Sequence, residues 1–199
     1  VVDQYFSNNP AVKSDPKSWA YDLRGHTFTF MTDNGVFSKH EVDFGSKVLI
    51  EQFRIPGIEG PLLDLGCGYG PIAIALGFAY PEHTVIGVDV NRRALMLAEQ
   101  NAEHNHIDNV SFKESDMLEG LAGQSFAAII TNPPIRAGKA VVHQMFEQAE
   151  TALLSGGELW VVIQKKQGAP SAQKKLSDLF DTVELIKKTK GYFIIRARK

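Results

Sequence analysis

Leu62-Leu63-Asp64-Leu65-Gly66-Cys67-Gly68-Tyr69-Gly70-Pro71-Ile72 is the stretch on which the fold turns. Its first four residues read as a short buried strand. Three glycines spaced G-x-G-x-G then make a tight turn, and Pro71 takes a first helical position, where its missing N–H costs nothing. Ile72 to Ala79 continues as a small apolar helix. The strand–turn–helix unit then repeats. Thr84 to Asp89 is a second strand, and Asn91 to Asn105 a second helix with Asn91 as its N-cap and Ala94, Leu95, Ala98 and Ala102 on its buried face. Val110 to Glu114 and Phe126 to Thr131 are further strands. A helix from Lys139 to Leu154 closes at Ser155-Gly156-Gly157, before a strand over Glu158 to Gln164 and a helix over Pro170 to Leu179. Val183 to Lys188 and Tyr192 to Arg198 flank Thr189-Lys190-Gly191 as a final antiparallel hairpin. Alternating strands and helices predict an α/β fold, a mostly parallel sheet with helices on both faces.

Upstream, the pattern changes. Residues 1–24 read as an N-terminal extension, ordered in part through Tyr5, Phe6, Trp19 and Tyr21, and residues 25–199 as one domain. His26 to Thr32 alternates as a strand. Asp33-Asn34-Gly35 then signals a turn into Val36-Phe37, which predicts a short hairpin within residues 25–45. Gly45 to Phe53 has helical spacing and stops at Pro56-Gly57.

Composition is that of a folded domain, with 44% hydrophobic and 22% charged residues. No apolar run approaches the roughly 18 residues of a membrane span. Val1 to Asp15 lacks a basic-then-apolar signal pattern, and one cysteine forms no internal disulfide, so a reducing, cytoplasmic setting is expected. Residues 1–150 hold 11 Lys/Arg against 19 Asp/Glu, whereas residues 151–199 hold 10 against 4. This asymmetry permits a polyanionic partner on one side, although solvated lysines on ordinary faces account for the same counts.

The glycine turn lies where nucleotide-type cofactors bind such sheets. Asp89 ends the next strand, 23 residues after Gly66, where a carboxylate can accept both ribose hydroxyls of an adenosine. Asp116 ends the third strand, placed to accept from an exocyclic adenine amine. Three acids at successive strand ends, Asp64, Asp89 and Asp116, favour a cationic ligand. S-adenosylmethionine, with its ammonium and sulfonium, suits them, and the pyrophosphate of a nicotinamide dinucleotide does not. Cys67 is a small side chain beside that cofactor, without redox function. His104 and His106, two apart at a helix end, diverge to the surface, and no metal site is expected.

Asn132-Pro133-Pro134-Ile135 ends the fourth strand, because two prolines continue neither a central strand nor a helix. The Asn132 side chain and the Pro133 carbonyl form adjacent acceptors that suit the two N–H donors of a planar amine. Alone, the motif reads first as a proline-rich turn with a local hydrogen-bonder.

Together, Asp64–Gly70, Asp89, Asp116 and Asn132–Ile135 resemble, in order and spacing, the class I S-adenosylmethionine-dependent methyltransferases. The four-residue turn resembles the (N/D)-P-P-x signature of members that methylate exocyclic or amide nitrogens. Gly35-Val36-Phe37-Ser38, Asp43-Phe44-Gly45-Ser46 and Asn132 through Gly138 resemble, more narrowly, the small-domain methyltransferases, which include ribosomal RNA guanine-N2 enzymes. The resemblance covers about residues 25–199. It implies a Rossmann-like seven-stranded sheet completed by the C-terminal hairpin. It also implies an S-adenosylmethionine cofactor held by Asp64, Gly66, Cys67, Gly68, Gly70, Asp89, Asp116, Met117 and Asn132, and catalysis by Asn132, Pro133 and Pro134. The implied partner is RNA, ribosomal RNA or a ribosomal subunit, with guanine N2 as acceptor. Phe37 and Ile135 would wall the base pocket, Phe37 being equally a core candidate. Arg136, Lys139 and Lys39 would meet phosphates, Lys139 being equally an early helix residue. Ile135 stands where the family commonly has an aromatic and Arg136 where it often has His. This length is expected to leave no room for the second N-terminal domain of well-known members. A protein glutamine amide or adenine N6 remains an alternative acceptor, and a non-catalytic cofactor-binding module an alternative class.

Overall fold

The computed structural model describes residues 13–38 and 41–199. The main sheet has seven strands: β3 (Leu62–Leu65), β4 (Val85–Asp89), β5 (Val110–Glu114), β6 (Phe126–Thr131), β7 (Leu153–Gln164), β8 (Thr182–Thr189) and β9 (Tyr192–Arg198), in the order β5-β4-β3-β6-β7-β9-β8. β3 through β7 are parallel, and β9 runs antiparallel between β7 and β8. The expected α/β sheet and its C-terminal hairpin are therefore present. β3 lies at the switch point, because its two neighbours β4 and β6 lead the chain toward opposite edges.

Alternation along the strands divides the core into two faces. Leu62, Ala128, Ile130, Trp160 and Val162 pack with α1 (Phe44–Gln52), α2 (Pro71–Ala79) and α3 (Arg92–His104). Leu63, Ile129, Leu159, Val161 and Ile163 pack with α4 (Lys139–Ala152) and α5 (Ala169–Leu179). Local chemistry sets several boundaries. Asn91 caps α3 by accepting from Ala94 N at 3.2 Å, as its sequence position implied. Gly70 precedes α2 with φ 93°, a left-handed conformation that glycine adopts without strain.

Two expectations need correction. The N-terminal hairpin pairs β2 (His26–Thr32) with β1 (Lys17–Leu23), not with Val36-Phe37. Its turn is Arg24–Gly25, both residues at positive φ (52° and 77°), a geometry that matches the twist of the two strands. Residues 17–23 are thus a strand, although the sequence reading placed them in an extension; Tyr5 and Phe6 lie outside the described residues. Asp33-Asn34-Gly35 ends β2 instead of opening a hairpin. The Asp33 carboxylate accepts from Asp15 N at 2.6 Å and Asn34 N at 2.7 Å. In addition, β7 begins at Leu153, directly after α4, and Gly156-Gly157 lie inside it beside a register shift between Phe126 and Ala128. A Cβ at Gly157 would sit 2.8 Å from the Leu154 carbonyl, so glycine permits this irregularity.

The hairpin is fastened to the domain by two asparagines one helical turn apart, Asn101 on α3 and Asn105 at its C-cap. Asn101 accepts from Met31 N (2.6 Å) and donates to Met31 O (3.0 Å) and Tyr69 O (2.9 Å). Asn105 accepts from Thr29 N (2.9 Å) and donates to Thr29 O (2.8 Å). Asn101 is fully buried and joins the hairpin to the glycine turn. Asn101→Ala would strand these backbone groups, so it is expected to destabilise the protein by about 2–3 kcal/mol, read as a lower urea midpoint. A midpoint within error of wild type would show that the hairpin needs no such tether.

Candidate functional site

A cavity of about 350 Å³ opens at the C-terminal ends of β3, β4, β5 and β6. Its floor is the glycine turn Gly66–Tyr69; its sides are Asp89–Asn91, Ser115–Met117 and Asn132–Pro134; Val36–Ser38 forms its roof. Among the described residues, no lysine or arginine lines it, whereas Asp43, Asp89 and Asp116 do. This donor set fits a cationic ligand and disfavours a pyrophosphate.

Asp89 is half-buried and already organised. Its Oδ2 accepts from Gly68 N at 2.8 Å and its Oδ1 from Asn91 N at 2.9 Å. Each oxygen keeps a second lone pair for a ribose hydroxyl. Burial pushes the Asp89 carboxyl up from its ordinary value, against the pull of the N–H groups of Asn91, Gly68 and Val90. Asp116 is exposed at the rim. Met117 adopts φ 47°, and its carbonyl accepts from Ser115 Oγ at 2.8 Å. Gly120 N donates in turn to that hydroxyl at 2.9 Å, so the strained wall is held from behind. The Asn91 amide donates to Gly35 O at 2.9 Å and ties the roof to the N-cap of α3. Cys67 lines the cavity, and burial, with Asp64 and Asp89 nearby, raises its thiol well above the usual range. That keeps it protonated and unreactive.

The Asn132 amide has one defined orientation. Its Nδ2 donates to Asp43 Oδ2 at 3.0 Å and to Ser46 Oγ at 2.9 Å. Asp43 also caps α1, accepting from Ser46 N at 3.1 Å. With both N–H groups engaged, Oδ1 is left as an acceptor. Among the described residues neither Asn132 Oδ1 nor the Pro133 carbonyl receives a hydrogen bond, whereas the Pro134 carbonyl accepts from Ala137 N at 2.9 Å. The sequence reading missed the roles of Asp43 and Ser46; the signal was the Asp-x-x-Ser capping pattern just before an apolar helix.

Not every expected residue reaches the cavity. Gly66, Cys67, Gly68, Asp89, Asp116, Met117, Asn132, Pro133, Pro134 and Phe37 line it. Gly70 lies behind it as the N-cap of α2. Asp64 lies beneath it, fully buried, with Oδ2 accepting from Ala73 N at 3.0 Å and Oδ1 unpartnered. It therefore does not share in an acidic rim as the sequence pattern suggested. Ile135 and Lys139 line a separate hollow of about 100 Å³ with Val142, His143 and Ile163, because the 3-10 turn after the prolines carries them to the α4 face. Arg136 is exposed outside both, and Lys39 lies outside the described residues. His104 and His106 are exposed. The described residues contain no group of potential metal ligands and no helix long and apolar enough to cross a membrane.

Burial raises the Asp64 carboxyl from about 3.8 to about 8, opposed by the Ala73 N–H and assisted by the Asp89 charge. The folded state then holds a proton that the unfolded chain has lost, so stability falls as pH rises between these two values. Asp64→Asn is expected to flatten that decline, checked by urea unfolding of both proteins from pH 6 to 9. Parallel pH profiles would contradict the assignment.

Comparison with known proteins places this geometry in a family. The methyltransferase small domain family matches residues 27–196. Uncharacterized protein YbxB of Bacillus subtilis is 52% identical over 200 residues, covering 100% of both chains. Ribosomal RNA large subunit methyltransferase G of Serratia proteamaculans is 32% identical over 190 residues, covering 92% of this chain and 48% of that protein. The structure of the Thermus thermophilus 16S rRNA N2 methyltransferase RsmC, in complex with AdoMet and guanosine, superposes with a TM-score of 0.83 at 26% identity, covering 96% of this chain and 52% of that one. The chain thus spans about half the length of the ribosomal RNA methyltransferases that it matches. Its sheet, its cation-suited cavity and the match over residues 27–196 identify it as a member of the methyltransferase small domain family.

Proposed function

We propose that this chain methylates an exocyclic amine of RNA, with guanine N2 of ribosomal RNA as the acceptor. The observation that carries this reading is the Asn132 amide, held by Asp43 and Ser46 so that Oδ1 and the adjacent Pro133 carbonyl remain free to accept. Two acceptors side by side match the two N–H donors of a planar amine. They would draw electron density onto the nitrogen and aim its lone pair toward the cofactor half of the cavity. S-adenosylmethionine, when bound, supplies an electrophilic methyl group. Asp89 would hold its ribose, Asp116 its adenine amine, and the Gly66–Gly68 backbone would allow close approach. Because Asn132 is a poor proton acceptor, the chain acts mainly by positioning. Phe37 lines the cavity and is 42% exposed, whereas Ile135 lines the separate hollow on the α4 face. The names of the relatives support ribosomal RNA as substrate, since large subunit methyltransferase G and the 16S rRNA N2 enzyme both carry it.

Asn132→Ala is expected to lower turnover at least about 100-fold while S-adenosylmethionine still binds by calorimetry. Asp43→Ala, which frees the amide to rotate, should lower kcat more than it raises KM. Near-normal turnover of Asn132→Ala would overturn the mechanism. Labelled methyl transfer onto deproteinised ribosomal RNA, intact subunits and total protein identifies the acceptor; label in protein alone would refute the RNA reading.

A further inference from the structure

Of the ten lysines and arginines after residue 150, four are held by carboxylates. Arg198 pairs in register with Glu158, away from the C-terminal end of β7, and both Arg198 and Arg196 form ion pairs with that buried carboxylate. Arg196 also pairs with Glu184, Lys199 with Glu150, and Lys175 with Glu147. These charges are neutralised. At the other end, Gln164 pairs with Tyr192, so the β8–β9 turn at Lys190-Gly191 stands at the edge that carries Asn132. Lys165 N donates to Gly191 O at 2.8 Å and fixes this turn against the 3-10 turn Lys165–Gln167. Lys165, Lys166 and Lys190 are exposed, and none has a carboxylate partner among the described residues.

Two rings accompany these lysines. Phe44, next to Asp43, lies 5.6 Å from Tyr192 between ring centroids, and the Lys190 ammonium sits 4.6 Å over the Phe44 ring. Tyr192 packs on the segment that holds Asn132, since a Cβ at Gly45 would lie 2.7 Å from its Cε1. Both rings are half-buried and keep exposed surface. A ring pair amid unpaired lysines is the arrangement that binds a single-stranded nucleic acid, with bases stacking and phosphates meeting ammonium groups. The flexible stem of Lys190 lets its charge leave the ring for a phosphate.

We propose that Phe44 and Tyr192, with Lys165, Lys166 and Lys190, form a subsite for the single-stranded RNA that flanks the acceptor nucleotide. The inference rests on the RNA reading above. A base flanking the target stacks on Phe44 while its phosphates track the Lys165–Lys166 turn and Lys190. The cofactor half of the cavity stays acidic, so the strand is held to the acceptor half.

The test is fluorescence anisotropy of a short labelled single-stranded RNA against rising salt. Simultaneous Lys165→Ala, Lys166→Ala and Lys190→Ala should reduce the slope of log affinity against log salt by about 2, from three lost single-strand phosphate contacts. Phe44→Leu should weaken binding about 10-fold with the slope unchanged. Calorimetry should show unaltered S-adenosylmethionine affinity in both variants. Wild-type binding and slope in the variants would overturn the subsite, as would equal affinity for duplex RNA or no RNA binding at all. Equal binding of poly-glutamate that ignores Phe44→Leu would show a charge surface for acidic protein instead. Methyl transfer separates this inference from the functional reading. RNA methylation with unchanged KM in the variants sinks the subsite alone; variant-sensitive RNA binding without RNA methylation sinks the functional reading alone.

Discussion

The parallel strand β3 has neighbours that lead away from it in opposite directions, and this constraint shapes the rest of the molecule. The loops after β3 and β6 diverge to opposite faces, so no connection closes the crevice between them. Into that gap the chain sends the glycine turn from one side and Asn132-Pro133-Pro134 from the other. A ligand there meets backbone and strand-end side chains held by the sheet, beneath Val36–Ser38. The two apolar faces of the sheet, covered by three helices and by two, stiffen this frame from both sides.

Within the crevice, orientation is set by hydrogen bonds that span long stretches of chain. Asp43 caps α1 and grips Asn132, so the helix start and the fourth parallel strand share one carboxylate oxygen. A buried or half-buried amide that must present its oxygen needs its nitrogen satisfied elsewhere, because an unpaired N–H there is costly. Asp43 and Ser46 meet that need together. The roof is tied by the same logic, with the Asn91 amide reaching Gly35.

Much of this was legible in the sequence because it is written in local chemistry. Glycines at turns, Pro71 at a helix start, Asn91 at a cap and apolar runs at strand length each act within a few residues. The strand ends and the candidate ligands Asp89, Asp116 and Asn132 followed from those boundaries. The errors arose where a partner distant in sequence decides. Trp19, Tyr21 and Leu23 alternate as a strand, but the pull of Asp33-Asn34-Gly35 as a turn signal hid the closer partner across Arg24-Gly25. Asp64 stands at a strand end like Asp89 and Asp116, yet Leu63 and Leu65 on either side mark a four-residue strand buried throughout. Ile135 follows the prolines in sequence, and only the sense of the 3-10 turn sends it to the α4 face. The grip of Asp43 on Asn132 joins residues 89 positions apart and has no local signature beyond the cap itself.

The asparagines that fasten the hairpin have a second consequence. A two-stranded ribbon exposes unpaired N–H and C=O groups along its margin, and such a margin recruits strands from other chains. On β2, the amides of Asn101 and Asn105 occupy both backbone groups of Met31 and of Thr29, imitating the peptide groups of a neighbouring strand. The one-turn spacing of the helix matches the two-residue repeat of the strand, so a helix serves here as a terminating strand. β2 is thereby closed to sheet extension on that side by side chains alone.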